Sequence, residues 1–237
     1  LNDKPNAQLY AQSPLSAADI LDYGIPNVVL ATGANWRVDC YGKTHKKPLP
    51  FLQNGTVISP DTLMQSGPDS LPDGPIVVFD DERYYLGGVL AEQIVKSGRK
   101  VLFVTPAPIV SPYTENTLEQ GRIQSRLIEL GITILPLKQL AGLTQSSVTL
   151  ACIYSGNTET HDCAALVPVT SRLPNDQLWH DLQARKSDWA DAGLHTVSRI
   201  GDCLTPGIIA MATQAGYAYG VGVGCKTQSP QREMIAL

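Results

Sequence analysis

Residues 75–104 read PIVVFDDERYYLGGVLAEQIVKSGRKVLFV and decide the fold. The apolar run at 75–79 predicts a buried strand, and 85–97 has the apolar spacing of an amphipathic helix that ends at Gly98. Residues 100–104 predict a second buried strand. Because a helix separates the two strands, they are expected to be parallel and joined by a right-handed crossover. The stretch therefore indicates an α/β fold.

The same alternation continues on both sides of this unit. Residues 34–75 contain six prolines and little apolar periodicity, so they predict an irregular connector. A polar loop, SGNTETHD, is expected between two of the strands, and Asn175 or Asp176 is the predicted cap of a helix. Strands are predicted at 25–33, 132–135, 147–154, 163–170 and 196–200, and helices at 117–130, at 176–187 and after Gly207 to about residue 219.

Composition excludes several classes of protein. With 43% hydrophobic and 17% charged residues the chain is globular, and a net charge of −4 gives no reason to expect nucleic acid or an anionic membrane as partner. No apolar run approaches the roughly 18 residues of a membrane span. The five cysteines are scattered, the closest pair being 11 residues apart, which predicts free thiols, no metal site and a soluble protein of the reducing cytoplasm.

The turn after the first strand, FDDERYYLGG at 79–88, stands where a dinucleotide-binding loop would lie. Such a loop needs G-x-G-x-x-G so that the backbone approaches the pyrophosphate. Here Asp80, Asp81 and Glu82 take the place of the early glycines, and three carboxylates would repel a diphosphate. The sequence therefore predicts a Rossmann-type domain that has lost NAD(P) binding, with these acids in a solvated turn rather than around a cation.

Two short motifs flank this domain and predict a nucleotide site. Ala31-Thr32-Gly33 ends the strand before it, and Gly201-Asp202 ends a strand after it, directly before a helix. A glycine lets the backbone approach a nucleotide, an aspartate accepts a ribose or ribityl hydroxyl, and a helix N-terminus favours phosphate. Trp36 and Arg37 come just after the Ala31-Thr32-Gly33 turn. They are expected either to stack on an adenine or contact phosphate, or only to cover a sheet edge.

A histidine, two cysteines and two tryptophans are each given a structural rather than a functional interpretation. His45, beside lysines in a proline-rich loop, is expected to be solvated rather than to bind an anion. Cys40 and Cys203 are not expected to form a redox dithiol, because no Cys-x-x-Cys is present. Trp179 and Trp189 are expected to pack helices.

As a set, the motifs resemble the C-terminal region of the trimethylamine, dimethylamine and histamine dehydrogenase group. This group is related to 2,4-dienoyl-CoA reductase within the NADH:flavin oxidoreductase superfamily. The resemblance covers nearly the whole chain. It is carried by VVLATGANWR (28–37), Thr44-His45 with the prolines at 48 and 50, the strand and turn at 76–92, LW with LQARKSDWA (178–190), IGD (200–202), the exit turn VPVTSRLPN (167–175), and PQREMI (230–235).

The resemblance implies which part of the whole protein holds each cofactor. In that group a TIM barrel carries FMN, the substrate site and an iron–sulfur cluster, and a region like a disulfide-reductase flavoprotein follows. It implies ADP or FAD binding here through Ala31, Thr32, Gly33, Trp36, Arg37, Gly201 and Asp202, with no catalytic or metal-binding residue in this chain. The expected partners are the barrel and the first half of the nucleotide domain, an electron-transfer flavoprotein, and a second copy at an open sheet edge.

The expected fold class is a Rossmann-like parallel-sheet domain inserted between two pieces of an incomplete FAD/NAD(P)-binding-type domain. The expected domains are 1–72 for the first piece and its connector, 73–195 for the insertion, and 196–237 for the return segment and tail. The expected function is the nucleotide-binding and structural region of an iron–sulfur flavoprotein dehydrogenase acting on an amine or an N-methylated compound. Two alternatives stay open: an NAD(P)H-dependent flavin reductase of the dienoyl-CoA reductase kind, and a non-enzymatic interaction module with a vestigial nucleotide site.

Overall fold

A computed structural model of the protein describes residues 7–222. Within this range it contains six α-helices and eleven strands. The helices are α1 (Ala17–Asp22), α2 (Pro60–Ser66), α3 (Leu86–Lys96), α4 (Gln120–Glu129), α5 (Gln177–Ala184) and α6 (Ile209–Gly222). The strands are β1 (Asn27–Leu30), β2 (Ala34–Trp36), β3 (Ile76–Asp80), β4 (Val101–Thr105), β5 (Thr133–Pro136), β6 (Lys138–Leu143), β7 (Ser147–Cys152), β8 (Thr158–Asp162), β9 (Ala165–Val169), β10 (Arg172–Pro174) and β11 (Thr196–Arg199).

The chain divides into two compact units. The larger unit is Asn35–Leu173, and the smaller unit combines the residues up to Ala34 with those from Pro174 onward. The sequence-based domains, with limits at 72/73 and 195/196, are drawn on nucleotide-domain motifs rather than on compactness, and they stay a prediction.

The larger unit is built on a parallel four-stranded sheet in the order β5-β4-β3-β9. Ile76 pairs with Val101 on one side and with Ala165 on the other, so β3 is central. Alternate residues of its strands point to opposite faces. Ile76, Val78 and Phe103 pack against α3 and α4, whereas Val77 and Phe79 pack against β6 and β7 of an antiparallel sheet. Both faces are therefore covered, as a parallel sheet requires.

The smaller unit has a two-stranded parallel sheet, β1 with β11, in which Asn27 pairs with Thr196 and Leu30 with Arg199. Its core is a modest cluster from α1, α5 and the two strands, which includes Ile20, Leu21 and the fully buried Leu182. Trp179 and Trp189 pack against this cluster, as expected, and the Trp189 indole nitrogen donates to the Leu182 carbonyl at 3.0 Å.

The predicted α/β alternation is confirmed, with several corrections. The predicted loop SGNTETHD contains strand β8, and strands β2, β6 and β10 and helix α1 were not predicted. The expected connector at 34–75 contains α2, which Ser59 caps. Helix α4 starts at Gln120 rather than 117, because a 3₁₀ turn at Pro112–Thr117 leads into Leu118 at φ +59°. No helix among residues 7–222 combines the length and the apolar character that crossing a bilayer would need.

Candidate functional site

The two predicted nucleotide motifs leave the same edge of the sheet in the smaller unit. Strands β1 and β11 are parallel, and the amide of Ile200 donates to the Leu30 carbonyl at 3.0 Å. Ala31-Thr32-Gly33 and Gly201-Asp202 therefore follow neighbouring strands at their carboxyl ends. In open α/β sheets this edge is where ligands bind.

Thr32 and Gly33 are held by Asn175, which the sequence analysis places in the exit turn and at a possible helix cap but not in the nucleotide site. The amide of Asn175 donates to the Gly33 carbonyl at 2.9 Å, and its side-chain nitrogen donates to the Thr32 carbonyl at 3.3 Å. In return the Thr32 hydroxyl donates to the Asn175 carbonyl at 2.5 Å and lies 3.1 Å from the Sγ of buried Cys203. The exit turn VPVTSRLPN and the predicted helix cap were the sequence signals at Asn175.

Both motif glycines adopt a backbone conformation that favours glycine. Gly33 lies at φ +77° and Gly201 at φ +59°. A Cβ on Gly33 would meet nothing within 4 Å, whereas one on Gly201 would meet the Cβ of Ala212 in α6 at 3.6 Å. The space beside Gly33 is therefore open to a ligand, and Gly201 allows α6 to pack closely.

Asp202 stabilises the loop that leads into helix α6. Its Oδ1 accepts the amide of Gly207 at 3.0 Å, which fixes the loop that leads to the helix. Asp202 is partly buried. The Asp202 carboxylate can accept a ribose hydroxyl. The free N–H groups at the N-terminus of the 14-residue helix α6 can donate to a phosphate.

A groove of about 720 Å³ runs along β1 toward this edge. It begins at Leu15 and Ser16, passes Val28 and Leu30, and ends at Thr32 and Asn175. Most of its lining is apolar, with α1 and α5 as its walls.

Trp36 and Arg37, the other predicted nucleotide contacts, belong to the larger unit and are engaged there. Trp36 packs against the sheet core and lies beneath the Arg172 guanidinium, 5.2 Å from the ring centre. Arg37 forms a two-pronged ion pair with Asp39 at 2.9 and 2.5 Å and covers the Tyr41 ring. This hydrogen-bonded pair raises the pKa of Arg37 and lowers that of Asp39.

The acidic turn of the larger unit is buried, so the prediction of a solvated turn is wrong for Asp80 and Asp81, neither of which has exposed surface. Asp81 accepts the Thr44 amide at 2.7 Å, the Thr44 hydroxyl at 2.8 Å and Arg83 at 3.1 Å. Asp80 accepts the Arg83 amide at 3.0 Å and packs against Gly87, where a Cβ would lie 2.8 Å from the carboxyl carbon. Both carboxylates of this turn are therefore engaged within the larger unit.

The structure also bears on the expectations for His45 and for the cysteines Cys40 and Cys203. His45 is half-buried rather than solvated: its ring stands 5.8 Å from that of Phe79, and burial lowers the pKa of its imidazole. Cys40 and Cys203 are both buried free thiols, and burial raises the pKa of Cys40 far above its usual range. Among the described residues no group of three or more His, Cys, Asp or Glu side chains is arranged to hold a metal.

Comparison with known proteins gives close relatives. No family model matches the chain. The chain is 32% identical to dimethylamine dehydrogenase of Hyphomicrobium sp. (strain x), over 92% of this chain and 32% of that protein. It superposes on histamine dehydrogenase of Rhizobium sp. 4-9 with a TM-score of 0.91 and 39% identity, covering 98% of this chain and 36% of that one. The corresponding values for 6-hydroxypseudooxynicotine amine oxidase of Pseudomonas geniculata N1 are 0.87 and 35%, over 96% and 33%.

These relatives define the class: the chain is homologous to part of an oxidoreductase of the flavoprotein amine dehydrogenase and oxidase kind. The resemblance of its sequence motifs to the C-terminal region of the trimethylamine, dimethylamine and histamine dehydrogenase group is thereby confirmed. The chain spans about a third of the length of these relatives.

Proposed function

We propose that the chain is the nucleotide-binding and structural region of an iron–sulfur flavoprotein dehydrogenase that acts on an amine or an N-methylated compound. The relatives' names, dimethylamine and histamine dehydrogenase, support the substrate class. The amine-oxidising site, FMN and the iron–sulfur cluster then belong to the barrel outside this chain. An electron-transfer flavoprotein is the proposed acceptor, and the cytoplasm the proposed location.

The ligand of this region is ADP, free or as part of FAD, bound in the smaller unit by Ala31, Thr32, Gly33, Gly201 and Asp202. The observation that carries the proposal is the convergence of the two motifs at the carboxyl ends of β1 and β11, with open space beside Gly33. Thr32 and Gly33 bring backbone close to the nucleotide, and Asp202 accepts a hydroxyl. The larger unit is then an insertion into the nucleotide domain, as the motif order suggests.

Nicotinamide nucleotides are not the proposed ligand. In the larger unit Asp80 and Asp81 stand at the end of β3, where the sequence analysis expects a dinucleotide-binding loop, and both accept hydrogen bonds. Introducing a diphosphate there would require these buried groups to move and would bring like charges together. The roles of Trp36 and Arg37 in nucleotide binding stay predictions, because Arg37 already has a carboxylate partner.

The test is calorimetric titration of the purified chain with ADP, FAD, NADH and NADPH, using two glycine variants. Gly33 and Gly98 both have positive φ, +77° and +86°, and at both a Cβ meets nothing within 4 Å. Gly33→Ala and Gly98→Ala therefore carry a similar backbone cost of about 1 kcal/mol. We expect only Gly33→Ala to weaken ADP binding, about tenfold, because its methyl group stands where the nucleotide approaches.

Each outcome of the titration has a definite meaning. ADP or FAD binding that Gly33→Ala weakens and Gly98→Ala spares supports the proposal. Tight NADH or NADPH binding would favour the reductase alternative instead. Absence of binding by all four nucleotides would favour an interaction module with a vestigial site.

A further inference from the structure

Cys203 links the two motifs of the proposed nucleotide site. It follows Gly201-Asp202 directly, and its Sγ lies 3.1 Å from the hydroxyl oxygen of Thr32, 171 residues away in the chain. The same sulfur lies 3.6 Å from the carbonyl oxygen of Asn175. Cys203 has no exposed surface and belongs to the core cluster of the smaller unit, so water does not compete for these contacts.

The direction of these hydrogen bonds follows from the protons that each group carries. The Thr32 hydroxyl has one proton, which it donates to the Asn175 carbonyl at 2.5 Å, a better acceptor than a thiol sulfur. The oxygen of Thr32 keeps two lone pairs, and the S–H group of Cys203 is a donor within reach of them. The thiol therefore donates to Thr32, and Thr32 in turn donates to Asn175.

Asn175 connects this chain of hydrogen bonds to the backbone of the turn at 31–33. Its amide donates to the Gly33 carbonyl at 2.9 Å, and its side-chain nitrogen donates to the Thr32 carbonyl at 3.3 Å. The turn has little to hold it by itself, because Thr32 is exposed and Gly33, at φ +77°, is the residue type with the most backbone freedom. Contacts from outside the turn are therefore needed to hold it in one conformation.

We infer that Cys203 is a positioning residue of the nucleotide site. Its thiol holds the Thr32 hydroxyl on Asn175, and the resulting network keeps Ala31-Thr32-Gly33 in the conformation that receives ADP, free or as part of FAD. A turn that is ordered in advance does not lose conformational entropy when the ligand binds, so the network strengthens binding without touching the nucleotide. The inference rests on the proposed function for the identity of the ligand.

The alternative is that Cys203 only fills space in the core, and two substitutions separate these roles. Cys203→Ser keeps a proton donor but places a hydroxyl in an apolar cluster, whereas Cys203→Ala keeps the apolar character and removes the donor. A packing role makes serine the more harmful substitution. A positioning role makes alanine the more harmful substitution for the order of the turn and for ADP affinity.

The experiment measures two quantities on the full chain: hydrogen exchange at the Asn175 amide, which is bonded to the Gly33 carbonyl, and ADP affinity by calorimetry. We expect Cys203→Ala to speed this exchange and to weaken ADP binding, each about fivefold, and Cys203→Ser to change both by less than about twofold. Cys163→Ala removes a 2% exposed thiol from the larger unit. It is the matched control and is expected to change neither quantity. Thermal unfolding shows whether each variant folds.

A second pair of measurements tests the path through Thr32. Thr32→Val removes the hydroxyl that accepts the thiol proton, so Cys203→Ala added to it is expected to speed Asn175 exchange little further. The S–H stretching band of Cys203, identified from the Raman difference between wild type and Cys203→Ala, is expected to move to higher wavenumber in Thr32→Val, because the thiol loses its nearer acceptor. If Cys203→Ala does not fold, the Raman difference between wild type and Thr32→Val carries the test alone.

The inference is overturned by unchanged Asn175 exchange in Cys203→Ala, by a larger effect of Cys203→Ser than of Cys203→Ala, or by an S–H band that Thr32→Val leaves in place. Nucleotide titration of the wild type separates the two proposals. A wild type that binds ADP with an affinity that Cys203→Ala leaves unchanged contradicts the inference alone. A wild type that binds neither ADP nor FAD contradicts the proposed function, and the exchange and Raman results still decide whether Cys203 holds the turn.

Discussion

Among single residues, Asp80 carries the clearest physical consequence, because its carboxyl group is fully buried at the end of β3. Burial raises the pKa of Asp80 to about 7, and the nearby charges of Glu82 and Asp81 act in the same direction. The amide of Arg83 and the charge of Lys43 oppose this shift without cancelling it. One carboxyl oxygen has a hydrogen bond and the other, Oδ2, has no partner among the described residues.

Asp80→Asn is therefore expected to stabilise the protein at high pH. A carboxyl whose folded pKa lies above its unfolded value of 3.8 binds more protons in the folded state, so its contribution to stability falls between about pH 4 and pH 7. Asparagine keeps an acceptor for the Arg83 amide and does not ionise. The difference in unfolding free energy, variant minus wild type, is expected to rise over that window by a few kcal/mol, at roughly 1.4 kcal/mol per pKa unit.

Urea unfolding at pH 4, 5, 6, 7 and 8 measures this difference. Asp69→Asn, at an exposed position, is the control and is expected to give a difference that is much less dependent on pH. A stability difference for Asp80→Asn that stays constant from pH 4 to 8 would contradict a buried carboxyl with a raised pKa.

Individual residues also show what the sequence alone can predict. Ala31-Thr32-Gly33 and Gly201-Asp202 were found because glycine and aspartate after a strand have a specific backbone meaning. Asn175 and Cys203 were not assigned to the site, because their contacts with Thr32 span 143 and 171 residues. Asp80 and Asp81 were expected in solvent, since three adjacent acids usually are, but the partners of Asp81 come partly from Thr44, 37 residues away.

At the scale of one element, α3 offers two adjacent glycines with opposite expected responses to alanine. A Cβ on Gly87 would lie 2.8 Å from Asp80 Cγ and 2.9 Å from its Cβ, closer than packing allows. A Cβ on Gly88 would meet Ile123 at 3.5 Å, an ordinary contact. We expect Gly87→Ala to destabilise the protein by about 1–3 kcal/mol through overpacking. Gly88→Ala is expected to stabilise it by up to about 1 kcal/mol through helix propensity.

Thermal and urea unfolding of the two variants provide a matched comparison, because the positions share a helix turn and differ in their neighbours. Equal effects of the two substitutions would contradict the close approach of Asp80 to the helix. Gly87→Ala combined with Asp80→Ala is expected to recover part of the loss, since the methyl group then has space.

The elements that the sequence predicted well are those with a strong apolar signal. Strands β3, β4 and β9 have every residue buried, and continuous apolar runs mark them clearly. Strand β8, TETHD, has only partly buried and exposed residues, and its pairing with β7 through the backbone leaves no apolar pattern to detect. Helix α1 has six residues and depends on a capping box between Ser16 and Asp19, too short for a periodic signal.

For the whole molecule, the two units differ in how their cores are built. The larger unit buries a parallel sheet on both faces in two clusters, with Val77, Phe79 and Leu90 among its buried residues. In the part of the smaller unit that the structure describes there is one cluster, a two-stranded sheet and a helix without any buried residue. Local stability follows buried apolar contact, so the smaller unit is expected to open more readily.

Native-state hydrogen exchange tests this expectation, with one core substitution in each unit. The β3 and β4 amides are expected to exchange at least tenfold more slowly than those of β1 and β11. Leu90→Ala and Leu182→Ala remove leucines that are 1% and 0% exposed, each at a cost of about 2–5 kcal/mol. Leu90→Ala is expected to speed exchange in β3 and β4, and Leu182→Ala in β1 and β11, each with little effect on the other unit. If either substitution speeds exchange equally in both units, they unfold as one cooperative body and the distinction drawn from their cores is wrong.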